Sequence, residues 1–338
     1  LRAGLTSLRG NTAAAVELAR AAVALAPPED AYALGMALFC LGTAYNYAGH
    51  VALAIETYER AIPYCNASHN FVATMLAISN LSLLHIVGGR LHAAHDLCAQ
   101  FIAAEESKGI VQSPPLATVL GAYADTFLAR NELEPARKYA EQSMAVSEHG
   151  GHIAAVTYVR VLLSRILIAQ GDLTGARDAL EWPMPLQGRG MPRWVASEIV
   201  AQQVALALAH DDNATAAALL KRSGVAFDDP VDHAHEVIYI ARVRLLLSED
   251  RITPGEGALA QAEALADRII AAAEPAGRIG HVLETLILRA LIYHTQGRND
   301  AALNDIELAL NIASPEAYVR VFIAEGAPLF QLLRAVRE

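Results

Sequence analysis

Aromatic residues are scarce in this chain, 6% of 338 positions, and the β-branched runs that build sheets are missing. Its 54% apolar content is therefore mostly Ala and Leu, both strong helix formers. No uncharged apolar run reaches the roughly 18 residues needed to span a bilayer, and no signal sequence opens the chain. Basic residues are outnumbered 26 to 36, a net charge of −10. That balance lacks the basic face of a phosphate-neutralising protein, so direct DNA binding is not expected. Cysteine is limited to Cys40, Cys65 and Cys98, an odd set without framework spacing. Free thiols in a reducing cytoplasm follow. Neither a Gly-x-Ser-x-Gly elbow nor a triphosphate-cradling G-x-x-x-x-G-K-[ST] loop occurs. No catalytic residue, cofactor or enzymatic activity is expected.

What is present is one phrase, repeated. It reads GNTAAAVELA from Gly10, GHVALAIETY from Gly49, GRLHAAHDLC from Gly89 and NELEPARKYA from Asn131. It continues as GDLTGARDAL from Gly171, DDNATAAALL from Asp211 and GRNDAALNDI from Gly297. The starts are 39, 40, 42, 40, 40 and 86 residues apart, the last step covering two repeats. Each copy begins with Gly, Asn or Asp, which tolerate the left-handed backbone that ends a helix. An Ala follows five residues later. This is the signature of a helical solenoid, whose extended inner surface holds other molecules.

The second repeat is the clearest, with a first helix from about Ala31 to Ala48 and a turn at Gly49-His50. Its Leu41-Gly42 and Tyr45, then Ala54, Tyr58 and Ala61, resemble the tetratricopeptide pattern. Small residues let helices approach, and aromatics fill the gap between pairs. Elsewhere the Gly42 position becomes Ser82, Ala124, Ser164 or Ala290, all small. In the least regular repeat the first helix is expected from about His233 to Leu247. Its turn is expected near Asp250, and its second helix from about Ala258 to Ala273. The expected fold is an all-α right-handed superhelix of about eight antiparallel pairs, the first truncated. Residues 1–313 form the array and 314–338 a C-terminal cap, with Ser314 as N-cap and Pro315 at the first helical position. A final helix is expected from Pro328 to Glu338. Pro- and Gly-bearing insertions at 107–115, 182–192 and 221–230 interrupt the array.

The tail SPEAYVRVFIAEGAPLFQLLRAV closely resembles the end of the helical-repeat region in the large ATP-binding LuxR-type transcription regulators, the MalT family. The repeat LLSRILIAQGDLTGARDAL looks like the same family's sensor region. In that family a P-loop ATPase module precedes the repeats and a helix-turn-helix DNA-binding domain follows them. The chain opens at Leu1 inside a repeat, so it is expected to be a piece of a longer protein, the isolated sensor domain. The resemblance implies a cytoplasmic effector-sensing and protein-interaction domain that binds a small-molecule inducer or a partner in its groove. Its own ATPase and DNA-binding domains would be further partners, and self-association stays open. The alternative is a scaffold that binds only proteins or peptides.

Residue by residue, a metal site is not expected. His92 and His95 share a helix face, but Cys98 lies about 240° round from His92. His233 and His235, if helical, point about 200° apart. The informative residues are polar ones at positions that face inward in the tetratricopeptide register. These are Asn46, Asp125, Tyr158, Arg165, Glu198, Arg244, Glu284 and His294, with Trp194 and Trp182 beside them. Several sit among apolar neighbours, where an ionised group needs water, a partner charge or a ligand. Either an Arg–carboxylate ladder braces adjacent repeats, or some of these groups hold a ligand.

Overall fold

The computed structural model describes residue 6 and residues 11–109, 115–147, 153–181, 192–255 and 257–335. The described array opens with α1 (Thr12–Leu25). Next come α2 (Ala31–Tyr47) with α3 (Val51–Ala67), α4 (Phe71–Val87) with α5 (Leu91–Ser107), and α6 (Leu116–Ala129) with α7 (Leu133–Ser147). The array continues with α8 (Ile153–Gln170) and α9 (Leu173–Leu180), then α10 (Arg193–Ala209) and α11 (Asn213–Arg222). It closes with α12 (Glu236–Ile252) and α13 (Ala258–Ala273), then α14 (Ile279–Thr295) and α15 (Asn299–Ala313). A 3-10 turn (Ser314–Glu316), α16 (Arg320–Ile323) and α17 (Ala327–Ala335) follow. Among the described residues the result is an all-α right-handed superhelix of seven complete tetratricopeptide-like pairs preceded by α1.

The repeated phrase works locally. Gly49, Gly89, Asn131, Gly171, Asp211 and Gly297 all have positive φ, between 57° and 83°. In the second pair Gly49 N–H donates to the Asn46 carbonyl and His50 N–H to the Tyr45 carbonyl, both at 2.9 Å. This is the double bond that closes a helix end around a left-handed residue. Where Asn or Asp precedes the next helix, it accepts from a first-turn N–H. Asp30 to Ala33, Asp172 to Gly175 and Asp212 to Thr215 span 2.8–2.9 Å. The phrase's alanines, from Ala15, Ala54 and Ala94 through Ala302, are fully buried. The Gly42 position is small for a visible reason: a Cβ there would lie 3.0 Å from the buried Tyr58 ring.

Two expectations are corrected in the least regular repeat. The turn does not fall near Asp250, because α12 runs on to Ile252 and the Asp250 side chain accepts from Gly255 N–H beyond it. His233 and His235 precede α12 rather than belonging to it, so no helical angle separates their rings. Ser314 is not an N-cap either. It caps the end of α15 and opens the 3-10 turn without an extended residue between, and the turn ends at Ala317 with φ 60°. The last helix starts at Ala327, one residue before Pro328, and residues 336–338 lie outside the described set.

One superhelical turn brings the array back on itself. The Gly49 turn packs on His233 and Arg278, and the Gly89 turn on Ile279. A Cβ at Gly49 would lie 2.8 Å from His233 Cβ, and one at Gly89 would lie 2.9 Å from Ile279 Cγ2. The tail then crosses to the first half. Tyr318 O–H donates to the Ile86 carbonyl at 2.7 Å and Val319 N–H to the Ala129 carbonyl at 2.9 Å. Glu316 accepts from His92 N–H at 2.9 Å. Seam and tail together turn a groove into a lumen.

Candidate functional site

The lumen is a cavity of about 630 Å³ walled by the first helix of each complete pair, α2, α4, α6, α8, α10, α12 and α14, and by the tail. That wall follows from helix phase, because residues one and four after the small position, and three and six before it, share one face. Asn46, Asp125, Tyr158, Arg165, Trp194, Glu198 and Arg244 all lie on it, as does Glu284. His294 does not, and its ring pairs instead with Asn299 at 3.1 Å. Trp182 and residues 183–191 are outside the described set.

The charged groups form two sets of like composition. In one, Arg244 lies between Glu284, 2.8 Å away on α14, and Glu325 of the tail, 2.7 Å away. Its guanidinium makes two bonds to Glu325, so the array and the tail share one cation. Burial opposes charge on both sides, but mutual attraction outweighs it, raising the Arg244 pKa and lowering that of Glu284. Here the bracing expectation describes the geometry.

In the other set, Arg165 faces Asp125 and Glu198 without touching either. No carboxylate among the described residues lies within ion-pair distance of it, and no described residue hydrogen-bonds to it. Its side chain keeps accessible surface inside the cavity. Burial works against the cation, yet attraction from Asp125 and Glu198 still raises its pKa. Glu198 likewise has no hydrogen-bond partner among the described residues, and burial lifts its pKa against the pull of Arg165. Asp125 accepts a short hydrogen bond from the Tyr158 hydroxyl, whose pKa is driven up by burial and by that carboxylate. The Tyr158 ring stands edge-on to Trp194, with centroids 6.1 Å apart. The Trp194 N–H approaches the Tyr47 hydroxyl without reaching hydrogen-bond geometry. Fixed charges, two aromatic faces and an apolar floor that includes Leu128, Ile168 and Leu208 meet in one chamber. That is the usual make-up of a small-molecule site, which typically runs to about 300–1,000 Å³.

Sequence reasoning missed a third cluster at the seam. Glu236, fully buried, accepts two 2.8 Å bonds from Arg278 and a short one from His281. Burial opposes charge on His281 and Glu236, but their bond raises the former's pKa and lowers the latter's. His233 beside them is pulled down to about 4, chiefly by burial. These partners are 42 and 45 residues apart, and no local pattern links them. Among the described residues no His, Cys, Asp and Glu group could hold a metal ion. No helix among them is long and apolar enough to cross a membrane.

Comparison with known proteins places the chain in context. The family described as MalT-like TPR region matches residues 1–338. Among solved structures, the crystal structure of a Rap protein complexed with competence and sporulation factor superposes with a TM-score of 0.65. It covers 94% of this chain and 84% of that one at 10% identity, which establishes the shared fold alone. No curated protein matches the sequence.

Proposed function

The chain belongs to the family of MalT-like TPR regions, and on that premise we propose that it is the effector-sensing domain of a LuxR-type transcription regulator, with a small-molecule inducer held in the lumen. The observation that carries the reading is the open charge set. Arg165, exposed to the cavity, and the half-buried Glu198 both face into it, and neither is paired with a described residue. Covering ionised groups costs several kcal/mol unless what displaces their water compensates them. A ligand of matching charge supplies that compensation. A folded protein or a long peptide would need an accessible groove, and the seam and tail cross that path.

Mechanistically, the ligand would touch walls that meet only when the superhelix is closed. It therefore binds the closed arrangement better than an open one and shifts the population by that affinity difference. Arg244 carries the change outward, because it ties the lumen to Glu325 in residues 314–335, the proposed capping segment. In the full-length regulator that segment would lead toward the DNA-binding domain. The neighbouring ATPase module would sense the same closure, and self-association would be its readout.

Amide hydrogen exchange with and without a stabilising compound from a metabolite library tests this. Binding should slow exchange at residues 49–50, 89–90 and 278–281 of the seam and at 318–325 of the tail. Protection confined to the outer helices would refute the reading. So would protection that requires an added protein partner, which is what the scaffold alternative predicts.

A further inference from the structure

The lumen's two charge sets are built alike, each a guanidinium between two carboxylates, yet only one is closed. Glu284, Arg244 and Glu325 meet at 2.7–2.8 Å. Asp125, Arg165 and Glu198 stay apart, and the gap between them opens into the cavity. The open set itself holds two negative charges and one positive; around it Glu284 adds to the negative side and His281 to the positive. That balance discriminates among ligands. A simple anion seated on Arg165 would also face Asp125 and Glu198. A simple cation seated on Glu198 would face Arg165. An uncharged ligand would displace the water around both ionised groups without giving either a counter-charge, which is costly. A molecule carrying one charge of each sign meets all three groups, through the charge-assisted bonds that are strongest away from water. Beside the gap lie the Tyr158 and Trp194 rings and the Leu128, Ile168 and Leu208 side chains, so the body between the charges is partly apolar.

Resting on the reading of the lumen as a small-molecule site, we propose that its ligand is a zwitterion, an ammonium and a carboxylate on one partly apolar body, as in a free α-amino acid or a short peptide. The carboxylate takes two N–H donors of Arg165, the geometry that guanidinium favours. The ammonium sits against Glu198 and the free oxygen of Asp125. Tyr158 holds the other Asp125 oxygen, which fixes that carboxylate for its role. The side chain, or the second residue of a peptide, packs on the Trp194 face.

The test is calorimetric titration and thermal shift of the protein. The probes are the common α-amino acids, their di- and tripeptides, and parallel panels of neutral sugars and of dicarboxylates. The expected result is binding by one or more amino acids or peptides, and chain length separates the two sources. For each binder, N-acetylation or C-terminal amidation should weaken binding at least tenfold. These arms use the unaltered protein, so they stand even if a variant folds poorly. Arg165→Gln should weaken the parent compound much more than its amide, and Glu198→Gln should weaken it much more than its N-acetyl form. A sugar or dicarboxylate that binds and is lost in Arg165→Gln would overturn the zwitterion and leave the lumen reading standing. Binders of any class indifferent to both substitutions would sink both ideas, and so would the absence of any binder.

Discussion

Closure of the superhelix can be isolated by a pair of matched glycine substitutions. Gly49 and Gly171 end equivalent helices with nearly equal φ, 78° and 83°. Alanine at either pays for a left-handed backbone, about 1–2 kcal/mol. The surroundings differ. Nothing lies within 4 Å of a Cβ at Gly171, whereas at Gly49 the Cβ would lie 2.8 Å from His233 Cβ. Carbon atoms pack best at about 3.5–4.0 Å, so the seam would have to part by roughly 0.7 Å or more. Overpacking of this kind adds about 1–3 kcal/mol. Gly49→Ala should therefore cost about 2–5 kcal/mol and Gly171→Ala about 1–2. The difference should appear as faster amide exchange at residues 278–281 and a larger radius of gyration in solution scattering. Gly89→Ala, facing Ile279, should behave like Gly49→Ala, and Gly297→Ala like Gly171→Ala. If Gly49→Ala and Gly171→Ala match in stability, exchange and dimensions, the seam does not hold the array closed.

Glu236→Gln removes the only carboxylate bonded to Arg278 and His281 among the described residues. It should cost about 3–5 kcal/mol in denaturant unfolding, as expected for breaking a buried pair. The seam histidines give opposite pH slopes. His281, with a raised pKa, adds stability that is complete below the ordinary histidine range and lost as pH rises through its folded value. His233, lowered to about 4, adds stability present above that range and lost as pH falls toward 4. Thermal unfolding across pH 4–9 should thus peak near pH 6.5, the unperturbed value. His281→Gln should flatten the alkaline side and His233→Gln the acid side. Arg244→Gln should cost about 1.5–3 kcal/mol, the usual worth of charged hydrogen bonds. It should also speed proteolysis within residues 320–335, and an unchanged cleavage rate there would show that Glu325 does not hold the tail.

The array was legible in the sequence because its instructions are local. A Gly, Asn or Asp that ends one helix, and an alanine five residues on that the next helix buries, lie within one phrase. The inward face was legible for the same reason, since helix phase carries Asp125, Tyr158, Arg165 and Glu198 to one wall. His294 escaped this rule at the end of α14, where Asn299 of the following turn takes its ring. The turn after α12 was misplaced because the polar run at residues 248–251 reads as a break, yet the helix carries it through to Ile252. Closure was not legible. It depends on the pitch accumulated over seven pairs, and it joins Gly49 to His233 and Ile86 to Tyr318. Nor could the sequence say which arginine braces and which stands open. Arg244 and Arg165 occupy the same register, but only Arg244 meets carboxylates, Glu284 on the next pair and Glu325 of the tail.

The central claim is that Arg165 awaits a ligand rather than bracing the repeats, and one comparison bears on it most directly. Melting of the unaltered protein and of Arg165→Ala should be followed with and without a compound that binds the former. A ligand at a hundredfold excess over its Kd stabilises by about 2.7 kcal/mol. The account predicts that Arg165→Ala loses this gain while its unliganded melting temperature falls only modestly. A loss of about 3–5 kcal/mol without ligand, the cost of stranding a braced carboxylate, with the ligand's stabilisation intact, would contradict it.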